Sequence, residues 1–166
     1  MASHLSELTV FLADEAATEA LGRALATVVE RGGKGATVFL QGNLGMGKTT
    51  LSRGVIRGMG HEGAVKSPTY TIVEPYEHLE PVVYHFDLYR LGDPEELEYL
   101  GIRDYFGKVS LCLIEWAERG EGILPVPDLR LKLGPEGDGR RATFWSETPT
   151  GKELLDGLPA SGLASA

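Results

Sequence analysis

Gly42-Asn43-Leu44-Gly45-Met46-Gly47-Lys48-Thr49 is a stretch whose residue types suit the binding of a polyphosphate. It follows the pattern of a glycine, four residues, then glycine, lysine and threonine. Glycines at 42, 45 and 47 free the backbone to wrap around an anion with its N–H groups turned inward. Lys48 would reach the β- and γ-phosphates, and the Thr49 hydroxyl would ligate magnesium. An acid is expected to complete such a site. Glu115 ends Val109 to Ile114, the most apolar run of the chain. A carboxylate closing a buried parallel strand beside the phosphate-loop strand is delivered to the magnesium region. Asp87 ends a second apolar run, Val82 to Asp87, and also falls within reach of the metal. His85 shares its side of a regular strand. The two have no third ligand at metal spacing, and His85 is expected to be a satisfied structural histidine. Ser67 and Thr69 flank Pro68, whose ring forbids a helix there. They either contact phosphate or magnesium or belong to a rigid loop entering a strand, and spacing leaves both readings open.

The elements that must position these residues are legible around them. Ala36 to Leu40 reads as the strand entering the loop. Thr50 to Met59 reads as the helix leaving it, with Leu51, Val55 and Met59 on one face and Gly60 as its stop. Strand, glycine loop and helix in this order give the anion both the loop amides and the positive end of the helix dipole. Arg53 and Arg57 on that helix are expected on a solvated face. Upstream, Leu8 to Leu12 reads as a strand. Asp14 then caps an amphipathic helix to about Glu30, with Ala17, Leu21, Ala24, Leu25 and Val28 at helical spacing. Downstream, Thr71 to Tyr76 and Val82 to Asp87 could form a hairpin. Asp93-Pro94-Glu95-Glu96 predicts a helix start, with Leu97 and Leu100 facing inward and Gly101 as the stop. Arg103 to Phe106 adds a short helical turn. Leu129 to Leu133 and Arg141 to Trp145 alternate as an antiparallel pair around Gly137-Asp138-Gly139. Thr150 to Leu158 reads as a short last helix, and 159–166 as a disordered tail.

The chain has 166 residues, a length that suits one domain with a sizeable core, placed at 1–158. The opening residues lack a basic segment followed by an apolar run, and no run approaches a membrane span. The lone Cys112 is expected as a buried small hydrophobe, which fits a reducing cytoplasm. A formal charge of −8 makes the chain a poor candidate to grip nucleic acid by itself, a task that needs cations against phosphates. Asp104-Tyr105-Phe106-Gly107 matches a short GTPase pattern but does not end an apolar strand. The absence of an Asn-Lys-x-Asp signature anywhere argues against a conventional GTPase.

The phosphate loop with Thr50, then Ser67-Pro68-Thr69-Tyr70, His85-Phe86-Asp87-Leu88-Tyr89-Arg90, Pro94-Glu95-Glu96-Leu97, Gly101-Ile102-Arg103-Asp104-Tyr105 and Ile114-Glu115-Trp116-Ala117-Glu118 together resemble the bacterial TsaE (YjeE) family. The likeness runs from about residue 5 to residue 145. It implies an α/β, P-loop NTPase-like three-layer fold with a mixed, partly parallel central sheet. It implies a weak magnesium-dependent ATPase required for threonylcarbamoyl modification of adenosine in tRNAs that read codons beginning with A. It also implies that the chain works with TsaD and TsaB in the cytoplasm and meets tRNA only through them. By position, the resemblance assigns ATP to residues 42–50, magnesium to Thr49 and Glu115, and an essential role in turnover to Asp87. Glu15 and Arg140 match positions near the nucleotide, Thr69 joins them as a candidate from its place downstream of the glycine-loop helix, and Trp116 is read as packing. The family's usual alanine is Met46 here, with a side chain expected to point outward. Ala117 stands where some members have proline.

Two other classes fit a phosphate loop. One is a binding module gated by nucleotide occupancy. The other is a small-molecule kinase, which needs arginines on a closing lid. Arg53 to Arg57 and Arg140 to Arg141 are too sparse to decide.

Overall fold

The computed structural model describes residues 6–43, 45–68, 70–107 and 109–158. Its centre is β2, Ala36–Gln41, which runs into the phosphate loop. On one side β2 pairs in parallel with β5, Ser110–Glu115, and on the other with β6, Leu129–Glu136. Beyond β5 lies β4, Val82–Asp87, also parallel, and beyond it the antiparallel β3, Val73–Tyr76. Beyond β6 lie β7, Gly139–Ser146, and at the edge β1, Glu7–Leu12, both antiparallel to their neighbours. The seven-stranded order is β1-β7-β6-β2-β5-β4-β3. The expected mixed, partly parallel sheet is thus present, with its parallel strands in the middle.

Alternation along the strands feeds two apolar clusters on opposite faces. Val38 and Leu40, Leu111 and Leu113, and Leu129, Leu131 and Leu133 face α1 (Glu15–Gly32), α2 (Lys48–Gly58) and α5 (Pro149–Gly157). Phe39, Phe86, Cys112 and Ile114 face α3 (Glu96–Tyr99) and α4 (Ile102–Phe106). Every residue of β5 is buried, as expected of a strand covered on both faces. Asp14 caps α1 by accepting the Ala17 N–H at 2.9 Å, and Gly33 ends the helix in the left-handed region. α1 lies close against α2. A methyl group on Gly54 would run into the carbonyl of Glu19, so this crossing requires a residue without Cβ. Among the described residues no helix is long and apolar enough to cross a membrane.

Three expectations about the elements are corrected. β3 begins at Val73 rather than Thr71, because Ile72 adopts φ 71° and donates its N–H to the Pro68 carbonyl at 2.8 Å, closing a turn where extended backbone was expected. The Asp93 cap is real, since its Oδ1 accepts the Glu95 N–H. The turns that follow bond three residues apart, however, and helical geometry starts only at Glu96. Because that helix is a single turn stopped by Gly101, Leu97 is buried while Leu100 is left 39% exposed. The segment 159–166, expected as a tail, lies outside the described residues.

Candidate nucleotide site

Strand ends, helix starts, the β1–α1 junction and the β6–β7 turn meet at one cavity of about 620 Å³ at the head of the sheet. The loop supplies Gly45 to Thr50 to its wall. Gly42, Gly45 and Gly47 take φ of 148°, 84° and 104°, values that side chains strain to reach, so the loop's curvature depends on glycine. α2 starts at Lys48, two residues earlier than expected, with Gly47 as its cap. This puts the lysine in the helix's first turn, where the dipole's positive end also lies.

The two strand-end acids arrive by register. Asp87 and Glu115 are paired positions of the parallel strands β4 and β5, and both line the cavity. Asp87 Oδ1 accepts the Tyr89 N–H at 2.9 Å, which fixes the carboxylate. Burial above all raises the Asp87 pKa from its ordinary value, with the Glu115 charge adding to it. The Tyr89 amide, His85 and Lys48 pull the other way. Glu115, 6% exposed, has its Oε2 2.8 Å from His85 Nε2. A carboxylate accepts only, so His85 Nε2 carries the hydrogen. His85 Nδ1 is buried with no hydrogen-bond partner among the described residues, so the expected satisfied structural histidine is satisfied there on one nitrogen only.

Lys48 is itself buried, and its ammonium rests 4.3 Å from the centroid of the Trp116 ring. Trp116 follows Glu115 with φ 58°, a left-handed turn that brings the indole over the loop and against Tyr89, ring centroids 4.9 Å apart. Trp116 therefore does more than fill the core. It offers the lysine a π-face within cation–π range.

The rim is built from the start of α1 and the start of β7. Glu15 begins α1 and accepts from Thr50 Oγ1 at 3.3 Å and from Arg53 Nη2 at 3.1 Å. Arg53 and Arg57 also approach Glu19, at 3.8 and 3.9 Å. These partly exposed pairs are worth under about 1 kcal/mol each and act mainly as orientation. Arg140, opposite Leu12 in the β1–β7 register, reaches across to the Gly45 carbonyl at 3.3 Å.

Lys48, Thr49, Thr50, Glu15, Asp87, Glu115 and Arg140 thus share one cavity, together with Ser67. Gly42 and Asn43 do not line it. They border a neighbouring hollow of about 410 Å³ with Lys48 and Trp116, on the other side of the loop. Leu44 and Thr69, both named from sequence, lie outside the described residues. Met46 is a correction: its side chain is not turned out but packs, partly buried, against the main core beneath the loop. An apolar residue on a loop folded over Leu133 loses water contact by turning in. Sequence reasoning missed Tyr89, Arg90 and Asp138, which also line the cavity. Their nearness in sequence to Asp87 and Arg140 was the available signal.

The donor set suits a nucleoside triphosphate with magnesium: loop amides, one buried ammonium, a hydroxyl and two carboxylates. Among the described residues no group of three or more histidine, cysteine or acidic side chains forms a metal site made by protein alone. Magnesium bound through one or two carboxylates and phosphate oxygens needs no such group.

Comparison with known proteins gives the family. Residues 12–143 match the family described as threonylcarbamoyl adenosine biosynthesis protein TsaE. The tRNA threonylcarbamoyladenosine biosynthesis protein TsaE of Haemophilus influenzae is 46% identical over 153 residues, 91% of this chain and 97% of that protein. The protein of the same name from Bacillus subtilis is 37% identical over 121 residues, 73% of this chain and 75% of its own. Among solved structures, Bacillus subtilis YdiB superposes with a TM-score of 0.76 at 28% identity, covering 96% of this chain and 99% of its own.

Proposed function

Because the chain belongs to the TsaE family of threonylcarbamoyl adenosine biosynthesis proteins, we propose that its cavity binds ATP with magnesium and hydrolyses it in support of that tRNA modification. The observation that carries the reading is the convergence of Lys48, Asp87 and Glu115 beneath the glycine loop. Loop amides and Lys48 hold the β- and γ-phosphates, while Thr49 and Glu115 hold magnesium. When bound, the cation neutralises charge that develops on the phosphate oxygens. Asp87, held at Oδ1 by the Tyr89 amide, orients the attacking water with its other oxygen and accepts its proton. A carboxylate whose pKa is raised is a better proton acceptor than an ordinary aspartate, which suits it to this task. Arg140 and Glu15 set the rim on either side of the phosphates.

The partners are TsaD, which carries the transfer chemistry, and TsaB. The isolated chain hydrolyses ATP slowly because its cavity is open to water, and the partners complete the site. A net charge of −8 leaves the tRNA to them. Ordering the site and excluding water could stabilise the transition state by several kcal/mol, each 1.4 kcal/mol being about tenfold in rate. A steady-state ATPase assay with the TsaD–TsaB complex, with tRNA and with both tests this, alongside reconstituted tRNA modification with this chain added or left out. Stimulation by the complex and modification that needs this chain are expected. Full-speed hydrolysis alone, or stimulation by tRNA without partners, would overturn the reading in favour of an autonomous RNA-dependent ATPase.

A further inference from the structure

We propose that His85 is the positioning residue of the magnesium-binding carboxylate: its Nε2–H holds Oε2 of Glu115 so that Oε1 is the oxygen turned to the metal. The inference rests on the reading of Glu115 as a magnesium ligand given above.

The geometry of two adjacent strands carries it. In the parallel pairing of β4 and β5, Asp87 lies opposite Glu115 and His85 opposite Leu113. His85 and Asp87 alternate onto the same face of β4. That face also carries Val83, which packs in the cluster under α1 and α2, so all three side chains point toward the helix that begins with Lys48. His85 therefore meets Glu115 on the diagonal, one step behind Asp87, and the 2.8 Å contact joins two side chains that are both almost fully buried.

Three features give this contact a task in the site. A glutamate has three side-chain torsions, and without an anchor its oxygens would sample several directions at the cavity edge. Occupying one oxygen with a buried donor leaves the other as a single, directed ligand atom, as partners of metal-binding carboxylates commonly do. The donor is also an imidazole rather than a lysine or arginine. With Nε2 protonated by the requirement of the carboxylate, Nδ1 faces the interior without a partner. An imidazole has a single Nε2–H to give, so it engages one carboxylate oxygen, where an arginine fork would take both. Lastly, among the described residues the ring has no other hydrogen bond, so its polar contact there is with the site acid. A histidine kept only for packing would be better replaced by an apolar residue, since an unpaired buried polar atom is costly.

The test compares His85→Leu, which removes the donor at similar bulk, with His85→Gln, whose amide N–H can stand where Nε2–H stood. Affinity for ADP is measured by calorimetry in magnesium and in EDTA, and the readout is the ratio of the two. His85→Leu should lower the magnesium enhancement about tenfold while leaving affinity in EDTA unchanged, and His85→Gln should keep it within about threefold. If the leucine variant does not fold, His85→Phe, which keeps a ring and loses both nitrogens, takes its place. Equal weakening in magnesium and EDTA would overturn the proposal, because packing alone explains it. So would an unchanged ratio, or a glutamine variant as damaged as the leucine one. Glu115→Gln is measured beside them. If it lowers the ratio and His85→Leu does not, the positioning role fails and the magnesium ligand stands. If it leaves the ratio unchanged, or the unsubstituted protein shows no enhancement, the magnesium reading itself fails and the positioning role with it.

Discussion

Replacing Lys48 by alanine removes the fixed cation of the phosphate loop, and the structure sets how much that costs. A charge-assisted contact to phosphate contributes about 1.5–3 kcal/mol. The ammonium is not idle before the nucleotide arrives, however, since it lies 4.3 Å over the Trp116 ring. Leaving that ring gives up about 0.5–1 kcal/mol of cation–π attraction. The net contribution to binding is then about 1–2 kcal/mol, and affinity for a non-hydrolysable ATP analogue should fall about five- to thirtyfold. The measurement is a calorimetric titration in magnesium, with a thermal melt to establish that the variant is folded. Alanine leaves a gap under the loop and removes a cation that favours ionised Asp87, so the melt serves as the control that the variant is folded. An unchanged dissociation constant in a folded variant would refute the phosphate contact. A loss beyond about 160-fold, the full 3 kcal/mol of an unopposed contact, would refute the competition with Trp116, because the ring would then have offset nothing.

Asp87→Asn keeps the Oδ1 that accepts the Tyr89 N–H, so the variant should fold and bind ATP within about threefold of the parent. It should lose hydrolysis, with and without TsaD–TsaB. Loss of binding in a titration would give Asp87 the ligand role assigned to Glu115. Gly54→Ala would put a methyl group 3.0 Å from the Glu19 carbonyl carbon and nearer still to its oxygen. Overpacking of about 1–3 kcal/mol outweighs the helix propensity alanine brings, and the melting temperature should drop by about 3–6 °C. A melt at or above the parent's would mean that α1 and α2 can separate at no cost. Burial pushes the Cys112 thiol from 9.0 up to about 11, against a weak contact with Ser110. A folded-state pKa above the unfolded one makes its contribution full below about pH 9 and lost as pH rises toward 11, at about 1.4 kcal/mol per unit. Denaturant midpoints followed across that range should fall more steeply in the parent than in Cys112→Ala.

The parts of the site legible in sequence are those written in one continuous segment. The phosphate loop announces itself because glycine spacing, lysine and hydroxyl are adjacent. Glu115 does so because a strand covered on both faces must be apolar until its end. The Asp14 cap is legible for a similar reason, since its partner Ala17 lies three residues away. What escaped depends on which segments lie side by side. His85 and Glu115 are 30 residues apart, and no periodicity in either strand reveals that parallel register sets them on a diagonal. Trp116 over Lys48 follows from a left-handed turn at a residue that gives no glycine signal. The β3 start was misplaced for the same reason at Ile72. Met46 was expected outside because loop residues usually are, yet this loop lies on the apolar end of the sheet, and what it covers is not written in the loop.

The pairing of β1 with β7 bears on how the protein is made. Ser6 and Ser146 bond to each other across 140 residues of chain, and Leu12 lies opposite Arg140. The ribosome releases the first strand long before its partner exists, and contacts so distant in sequence form late. Until the final hairpin emerges, the wall that Leu12 to Glu15 shares with Asp138 to Arg140 is missing. A nascent chain can therefore carry its whole glycine loop, lysine included, and still lack a closed pocket. On the proposed reading the pocket closes around nucleotide only once β7 has emerged, and a chain cut short before residue 139 would carry an open cleft and an unpaired first strand.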